Sequence, residues 1–283
     1  MSFVTGIAVF LAVLGIVVMV GAPIVERFLM YHPTGSRLDP AIIGIANIKE
    51  LELATPDGET VIAWYVKAAP GQPTLLYYHG NSGTLADRAD RFAAYTKRGR
   101  GILMMAYRGY SGSTGMPSER ANVADAKLAY DTLISMGVPA EEIILYGESI
   151  GTGVAVQTAA EKRIAGLILD APYTSILEVA QMIYPYLPSG LLMRDRYETL
   201  RYLDKVEAPI LVIHGEQDTI IPVEMGRKIA QLAPSPTEIV TFHRAGHSDH
   251  GKYGSYDVVN DWIDRTIVPQ FEMKQGGEDR AAG

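Results

Sequence analysis

The sequence lacks cysteine altogether. Without thiols the chain has no disulfide scaffold, no thiolate nucleophile, no iron–sulfur cluster and no cysteine-based zinc site. Any covalent chemistry must therefore use an oxygen or nitrogen nucleophile. A run of basic charge is also missing, since 25 Lys and Arg stand against 32 Asp and Glu for a formal net charge of −7. Nucleic-acid binding needs positive charge facing the phosphates, so we expect no nucleic-acid partner.

Long uncharged apolar runs are absent except at the start of the chain. Residues 3–25 carry no charge, and this length is enough to cross a bilayer core of about 30 Å. We predict a single transmembrane helix at 3–25. A cleaved signal peptide is one alternative. However, no basic residue precedes the run, and Pro23 directly follows the only small-residue segment that could serve as a cleavage site, Val20-Gly21-Ala22. A buried terminal core helix is the other alternative.

The rest of the chain alternates apolar runs with helical patterns. The runs TLLYY, GILMM, IILYG, GLILD and PILVI are continuous rather than alternating, which is typical of parallel strands covered on both faces. We predict a juxtamembrane connector at 26–46 and one α/β catalytic domain at 47–271. Residues 174–207 contain no strand pattern and are predicted to form a helical lid over the carboxyl ends of the strands. The polar tail at 272–283 is predicted to be disordered.

The pentapeptide from Gly147 to Gly151 fits the pattern G-x-S-x-G. It follows a strand pattern and precedes a helical one, as the pattern requires. Such a turn strains the backbone of its central residue, and the flanking glycines relieve the crowding. We therefore predict Ser149 as a nucleophile.

A serine hydroxyl becomes nucleophilic when an imidazole takes its proton and a carboxylate orients that imidazole. Asp218 ends the run PILVIHGEQD, and His247 follows the last strand pattern in EIVTFHRAGH. The chain order serine, acid, histidine is the one in which a G-x-S-x-G site places its triad. We predict Asp218 as the acid and His247 as the base. Asp170 also ends a strand pattern and is an alternative acid.

Attack on an acyl carbon creates an oxyanion, which two backbone N–H groups must stabilise. One donor is predicted to be the N–H of Ile150, at the start of the helix after Ser149. The other lies in the loop from His79 to Gly83, where we favour Asn81 over Ser82. An ordinary β-turn is the alternative interpretation of this loop.

Two patterns suggest other kinds of site. His247, Asp249 and His250 resemble the ligands of a metal site, but the sequence offers no further ligand near them. The glycines of YRGYSGSTG are spaced G-x-x-G-x-x-G and no Walker lysine follows them. We predict neither a metal nor a nucleotide site.

The predicted lid contains an apolar and aromatic run, residues 183–193, broken by two prolines and a glycine. Exposed apolar runs of this kind often mark ligand grooves or membrane contacts. The alternative is that the run packs inward over the sheet edge. The predicted substrate contacts are Tyr184, Tyr186, Leu187, Leu191 and Leu192.

Several segments together resemble the α/β-hydrolase superfamily over residues 45–270: the HGN loop, YRGYSGSTGMPSE, GESIG, LDAPYTS, HGEQD and AGH. The short lid and the apolar N-terminus resemble a membrane-associated group that includes bacterial lysophospholipase-like esterases and eukaryotic protein depalmitoylases. The resemblance implies a mostly parallel sheet with helices on both faces, and ester or thioester hydrolysis without a cofactor. Those depalmitoylases carry an N-terminal cysteine cluster for lipid attachment, which this chain lacks.

The sequence therefore predicts a membrane-anchored serine hydrolase that cleaves acyl esters or thioesters through an acyl-enzyme. Lipid-derived substrates such as lysophospholipid or monoacylglycerol fit the apolar lid. A small peptidase or amidase and a non-catalytic binding module remain alternatives, and the oligomeric state is left open. Arg27 and Arg37 favour a cytoplasmic catalytic domain by the positive-inside rule, whereas the resemblance favours an extracytoplasmic one. We follow the resemblance and expect a single-pass protein of the cell membrane with a periplasmic catalytic domain.

Overall fold

The computed structural model describes Ile7, Phe10 and residues 21–271. The strands are β1 Lys49–Ala54, β2 Thr60–Val66, β3 Thr74–Tyr78, β4 Gly101–Met105, β5 Ile143–Glu148, β6 Gly166–Asp170, β7 Ile210–Gly215 and β8 Thr237–Phe242. They form an eight-stranded sheet in the order β1-β2-β4-β3-β5-β6-β7-β8. β2 runs antiparallel to β1 and β4, and the other neighbours are parallel. The predicted mostly parallel sheet is confirmed.

The helices cover both faces of this sheet. They are α1 Ala89–Thr96, α2 Glu119–Ser135, α3 Ile150–Ala159, α4 Ile176–Ile183, α5 Ser189–Leu192, α6 Thr199–Leu203, α7 Val223–Leu232 and α8 Ser255–Thr266. α1 packs with α8, while α2, α3, α6 and α7 pack in series as a second group. All ten residues of α3 are buried, which places the helix that follows Ser149 in the centre of the molecule.

The continuous apolar runs have a direct structural cause. Successive side chains of a strand point to opposite faces of the sheet, and every residue of β3, β4, β6 and β7 is buried. A strand covered on both faces cannot alternate between apolar and polar residues. β8 lies at the sheet edge and is only partly buried.

The N-terminal segment is described only in part. Of the predicted transmembrane helix at 3–25, Ile7, Phe10 and residues 21–25 are described, and the others lie outside the described residues. Among the residues that the structure describes, no helix combines the length and the apolar character needed to cross a membrane. Residues 21–30 are helical and are called the N-terminal helix below, so helix continues past the predicted boundary at residue 25. The predicted disordered tail, 272–283, also lies outside the described residues.

Candidate active site

Ser149 occupies a sharp turn between β5 and α3. Its backbone has φ 52° and ψ −118°, a left-handed conformation that a residue with a Cβ rarely adopts. Its N–H donates to the carbonyl of Asp170 at 2.8 Å. A Cβ at Gly147 would lie 2.4 Å from the carbonyl oxygen of Gly151, and one at Gly151 would lie 2.1 Å from that of Tyr78. The turn therefore requires glycine at both positions.

Three side chains predicted from separate parts of the sequence meet at this turn. The Ser149 Oγ lies 2.9 Å from His247 Nε2, and His247 Nδ1 lies 2.7 Å from Asp218 Oδ2. The second oxygen of Asp218 accepts the N–H groups of Ile220 and Ile221 at 2.8 and 2.9 Å. With its Nδ1–H donated to Asp218, His247 presents an acceptor nitrogen to the serine hydroxyl.

Asp218 is held as a carboxylate. Burial opposes its ionisation, but hydrogen bonds from His214 and His247 outweigh that effect and hold the pKa of Asp218 well below its ordinary value. His214 Nε2 lies 2.9 Å from the carbonyl oxygen of Ile221 and 3.4 Å from Asp218 Oδ2. The acid at this position stays charged at neutral pH and fixes the orientation of His247.

The loop carrying Asn81 is held from the N-terminal side of the chain. The Asn81 carbonyl accepts the N–H of His32 at 3.1 Å and the hydroxyl of Tyr110 at 2.8 Å. The Asn81 side-chain amide donates to the carbonyl of Met30 at 3.3 Å. These bonds use the side chain and the carbonyl of Asn81, so its N–H is the group left for the predicted oxyanion role. Ile150, the other predicted donor, is the first residue of α3, where backbone N–H groups lack intrahelical acceptors.

His79 fixes the start of the same loop. Its Nδ1–H donates to the carbonyl of Gly80 at 2.6 Å, and its Nε2 accepts the N–H of Tyr107 at 3.2 Å. Burial, assisted by the charge of Arg88, lowers the pKa of His79 to about 3. The ring stays neutral and links this loop to the segment after β4.

A largely buried ionic cluster next to the loop was not predicted from the sequence. Glu148, directly before Ser149, lies 3.3 Å from an Arg91 guanidinium nitrogen and 3.6 Å from Arg88 Nε. It also accepts the hydroxyl of Tyr77 at 2.7 Å. Burial opposes its ionisation, but Arg91 and Arg88 together lower the pKa of Glu148 to about 2.

This cluster connects the serine turn to the predicted oxyanion loop. A Cβ at Gly80 would lie 3.3 Å from Glu148 Oε1, and Arg88 donates to the carbonyl of Thr84 at 3.2 Å. The only sequence signal was two arginines three residues apart, Arg88 and Arg91, soon after the HGN segment.

The alternative acid, Asp170, has a different partner. Its Oδ1 lies 2.6 Å from His250 Nδ1, and its Oδ2 accepts the hydroxyl of Tyr146 at 2.7 Å. Asp249 instead accepts the N–H of Gly246 at 2.8 Å. The residues of the metal-like pattern therefore have separate partners, and no three metal-ligating side chains converge within the described part of the chain.

An apolar cavity of about 440 Å³ lies between the N-terminal helix and residues 176–193 of the segment predicted as a lid. Of the predicted lid contacts, Tyr184, Leu187 and Leu192 line it. Tyr186 and Leu191 do not, and are 98% and 88% exposed. From the other side the cavity is lined by Gly21, Ala22, Val25, Glu26, Leu29 and Met30. That second wall was not predicted from the sequence.

Comparison with known proteins identifies several relatives, although no family model matches the chain. An uncharacterized protein of Mycobacterium tuberculosis is 33% identical over 248 residues, covering 84% of this chain and 88% of that protein. Human alpha/beta hydrolase domain-containing protein 17B is 31% identical over 205 residues, 71% of this chain and 70% of that protein. The lysophosphatidylserine lipase ABHD12 of Danio rerio is 31% identical and covers 60% of this chain and 50% of that protein.

Solved structures agree on the fold. The esterase Pf2001 of Pyrococcus furiosus superimposes with a TM-score of 0.69 at 19% identity, covering 84% of this chain and 98% of the esterase. An alpha-beta hydrolase from Vibrio vulnificus gives a TM-score of 0.64 at 21% identity, covering 82% and 87%. With relatives above 30% identity and this sheet order, the chain belongs to the α/β-hydrolase superfamily.

Proposed function

We propose that this protein is a membrane-associated serine hydrolase that cleaves acyl esters or thioesters of lipid origin, such as lysophospholipid or monoacylglycerol. The observation that carries the proposal is the hydrogen-bonded sequence Ser149, His247, Asp218, with contacts of 2.9 and 2.7 Å. These distances lie within the range for a nucleophile, its base and the group that orients the base.

In the proposed mechanism His247 takes the proton of Ser149 as the Oγ attacks the acyl carbon. The oxyanion accepts hydrogen bonds from the N–H groups of Asn81 and Ile150. His247 then gives its proton to the leaving alcohol or thiol, which leaves an acyl-enzyme. Water attacks that acyl carbon, again with His247 as base, and the acid product and free Ser149 result. Asp218 stabilises the imidazolium in both steps.

Two observations support a lipid-derived acyl group. The cavity beside the lid is almost wholly apolar, as expected of a site that binds a hydrocarbon chain. One of the relatives carries the name lysophosphatidylserine lipase.

We also propose that the uncharged residues 3–25 anchor the protein in a bilayer as a single span, with the catalytic domain on the extracytoplasmic side. The N-terminal helix continues directly from that apolar sequence. Protease added to spheroplasts should then digest a periplasmic catalytic domain. Protection until the membrane is opened would reverse the orientation.

The experiment that tests the hydrolase itself compares the wild type with Ser149→Ala. A fluorophosphonate probe should label the wild type and not the variant, and ester turnover should fall by roughly 10⁴-fold or more while the melting temperature is retained. Labelling or turnover that survives Ser149→Ala contradicts the proposal. Matched ester, thioester and peptide-amide substrates then decide which acyl bond is preferred.

A further inference from the structure

The N-terminal helix forms one wall of the apolar cavity. Ala22, Val25 and Leu29 line it, and their spacing of three and four residues places them on one helical face. Ile183 and Leu192 of the lid line the opposite side. The helix and the lid therefore form opposite walls of the cavity.

Polar contacts fix the helix in that position. The carboxylate of Glu26 accepts the N–H groups of Arg194 and Asp195 at 2.9 and 2.8 Å. The buried hydroxyl of Tyr31 donates to the Asp195 side chain and contacts the Tyr197 hydroxyl, each at 2.9 Å. Contacts at Glu26 and just past the helix end at Tyr31 therefore hold it on the last part of the lid.

Ser149 and His247 do not line the cavity, but hydrogen bonds connect its walls to the proposed reaction centre. Met30 lines the cavity, and the Met30 carbonyl accepts the side-chain amide of Asn81. The lid begins just after Tyr173, whose hydroxyl donates to the carbonyl of Ile150 at 2.9 Å. Both residues proposed to stabilise the oxyanion are thus bonded to segments that lead directly into the cavity walls.

We propose that this cavity binds one acyl chain of the substrate, and that the N-terminal helix determines which chain lengths fit. This inference rests on the proposed function. A volume of about 440 Å³ lies in the lower half of the range of about 300–1,000 Å³ for ligand pockets, which suits a single chain. The substrate class is therefore a monoacyl lipid, and the helix is part of the binding site as well as a connection to the membrane.

Exposed apolar side chains adjoin the cavity lining in sequence. Ile24 and Phe28 flank Val25 and Leu29 on the N-terminal helix and are 64% and 78% exposed. On the lid, Tyr186 and Leu191 occupy equivalent positions beside lining residues. Apolar surface of this extent on both walls fits contact with lipid, so the acyl chain enters from the bilayer.

The test places a large side chain in the cavity from the helix side. Val25→Trp adds bulk to the cavity lining, whereas Phe28→Trp makes a similar enlargement at a position on the same helix that does not line the cavity, and serves as the control. Each is assayed with p-nitrophenyl esters from acetate to palmitate. Because each methylene that enters an apolar site adds up to about fourfold to kcat/KM, the palmitate-to-acetate ratio should fall at least tenfold in Val25→Trp and stay unchanged in Phe28→Trp. Ala22→Leu provides a milder filling if Val25→Trp folds poorly.

An unchanged palmitate-to-acetate ratio in folded Val25→Trp and Ala22→Leu overturns the assignment. So does an equal loss on acetate and palmitate accompanied by a lower melting temperature, since the wall would then serve stability alone. Equal rates of the wild type on lysophosphatidylcholine and on diacyl phosphatidylcholine vesicles overturn the single-chain limit. Failure of the proposed function gives a different result, in which the wild type hydrolyses none of the esters and takes up no fluorophosphonate.

Discussion

Two histidine–carboxylate pairs lie side by side in this molecule and have different environments. Asp170 ends β6 and Asp218 follows β7, and their partners His250 and His247 belong to the same loop after β8. The nitrogen–oxygen distances are nearly equal, 2.6 and 2.7 Å. Pair geometry alone therefore does not distinguish a catalytic pair from a structural one.

The surroundings of each histidine make the distinction. The His247 side chain is 15% exposed and its second nitrogen faces Ser149. His250 is 3% exposed and stacks on Phe242 with ring centres 6.0 Å apart. The backbone carbonyl of Asp170 accepts the N–H of Ser149, so the residue that carries the buried pair also contacts the serine turn. We infer that the buried pair holds the site in place while the partly exposed pair moves protons.

The largest effect that separates the pairs should be on turnover. Asp218→Asn should lower kcat by about 10⁴-fold, because the amide no longer holds His247 in the required tautomer, with the fold retained. Asp170→Asn should keep most of its turnover per folded molecule. Steady-state kinetics on a soluble ester, with active sites counted by fluorophosphonate titration, measure both. A loss of turnover confined to Asp170→Asn would mean that Asp170 is the catalytic acid and that Asp218 is structural.

The second-largest effect should be on stability, and here Asp170→Asn should lose more than Asp218→Asn. Asp170→Asn should lower the free energy of unfolding by about 3 kcal/mol, the usual cost of removing one partner from a buried pair. Urea unfolding followed by circular dichroism measures it.

The pair of Glu216 and His243, at 2.8 Å and with the histidine 86% exposed, provides the control. Exposed pairs contribute little to stability, so Glu216→Gln should leave the unfolding midpoint nearly unchanged. Comparable losses in Asp170→Asn and Glu216→Gln would remove the structural role assigned to the buried pair.

The sequence predicted features that depend on local patterns. Continuous apolar runs follow from strands covered on both faces, and Gly147 and Gly151 follow from the backbone atoms that crowd them. The proximity of Ser149, Asp218 and His247 could be predicted because each residue follows a strand. The carboxyl ends of parallel strands share one edge of the sheet.

Features that depend on contacts between distant segments were not predictable in the same way. Two aspartates and two histidines at one sheet edge allow more than one pairing, and only the packing assigns His250 to Asp170. The bonds from Glu26 to residues 194 and 195 join positions 168 and 169 residues apart, and no periodicity encodes them. The N-terminal helix was therefore predicted as a membrane connection alone, without its place beside the lid.

The smallest effect should be a change in stability with pH that comes from the buried pair. Burial opposes protonation of His250, but the charge and the hydrogen bond of Asp170 outweigh it, so the pKa of His250 is raised. The folded protein then binds this proton more tightly than the unfolded chain, whose histidine titrates near pH 6.5. The stabilisation is fully present below that pH and is lost as the pH rises through the raised folded value.

In urea unfolding at pH 6, 7, 8 and 9, the difference in unfolding free energy between the wild type and His250→Gln should therefore shrink as the pH increases. In the Asp170→Asn background the same difference should no longer shrink as the pH increases, because the charge that outweighs burial of His250 is gone. A difference that is constant with pH in the wild-type background would mean that the pair acts through a neutral hydrogen bond, and the electrostatic part of the comparison with Asp218 and His247 would be wrong.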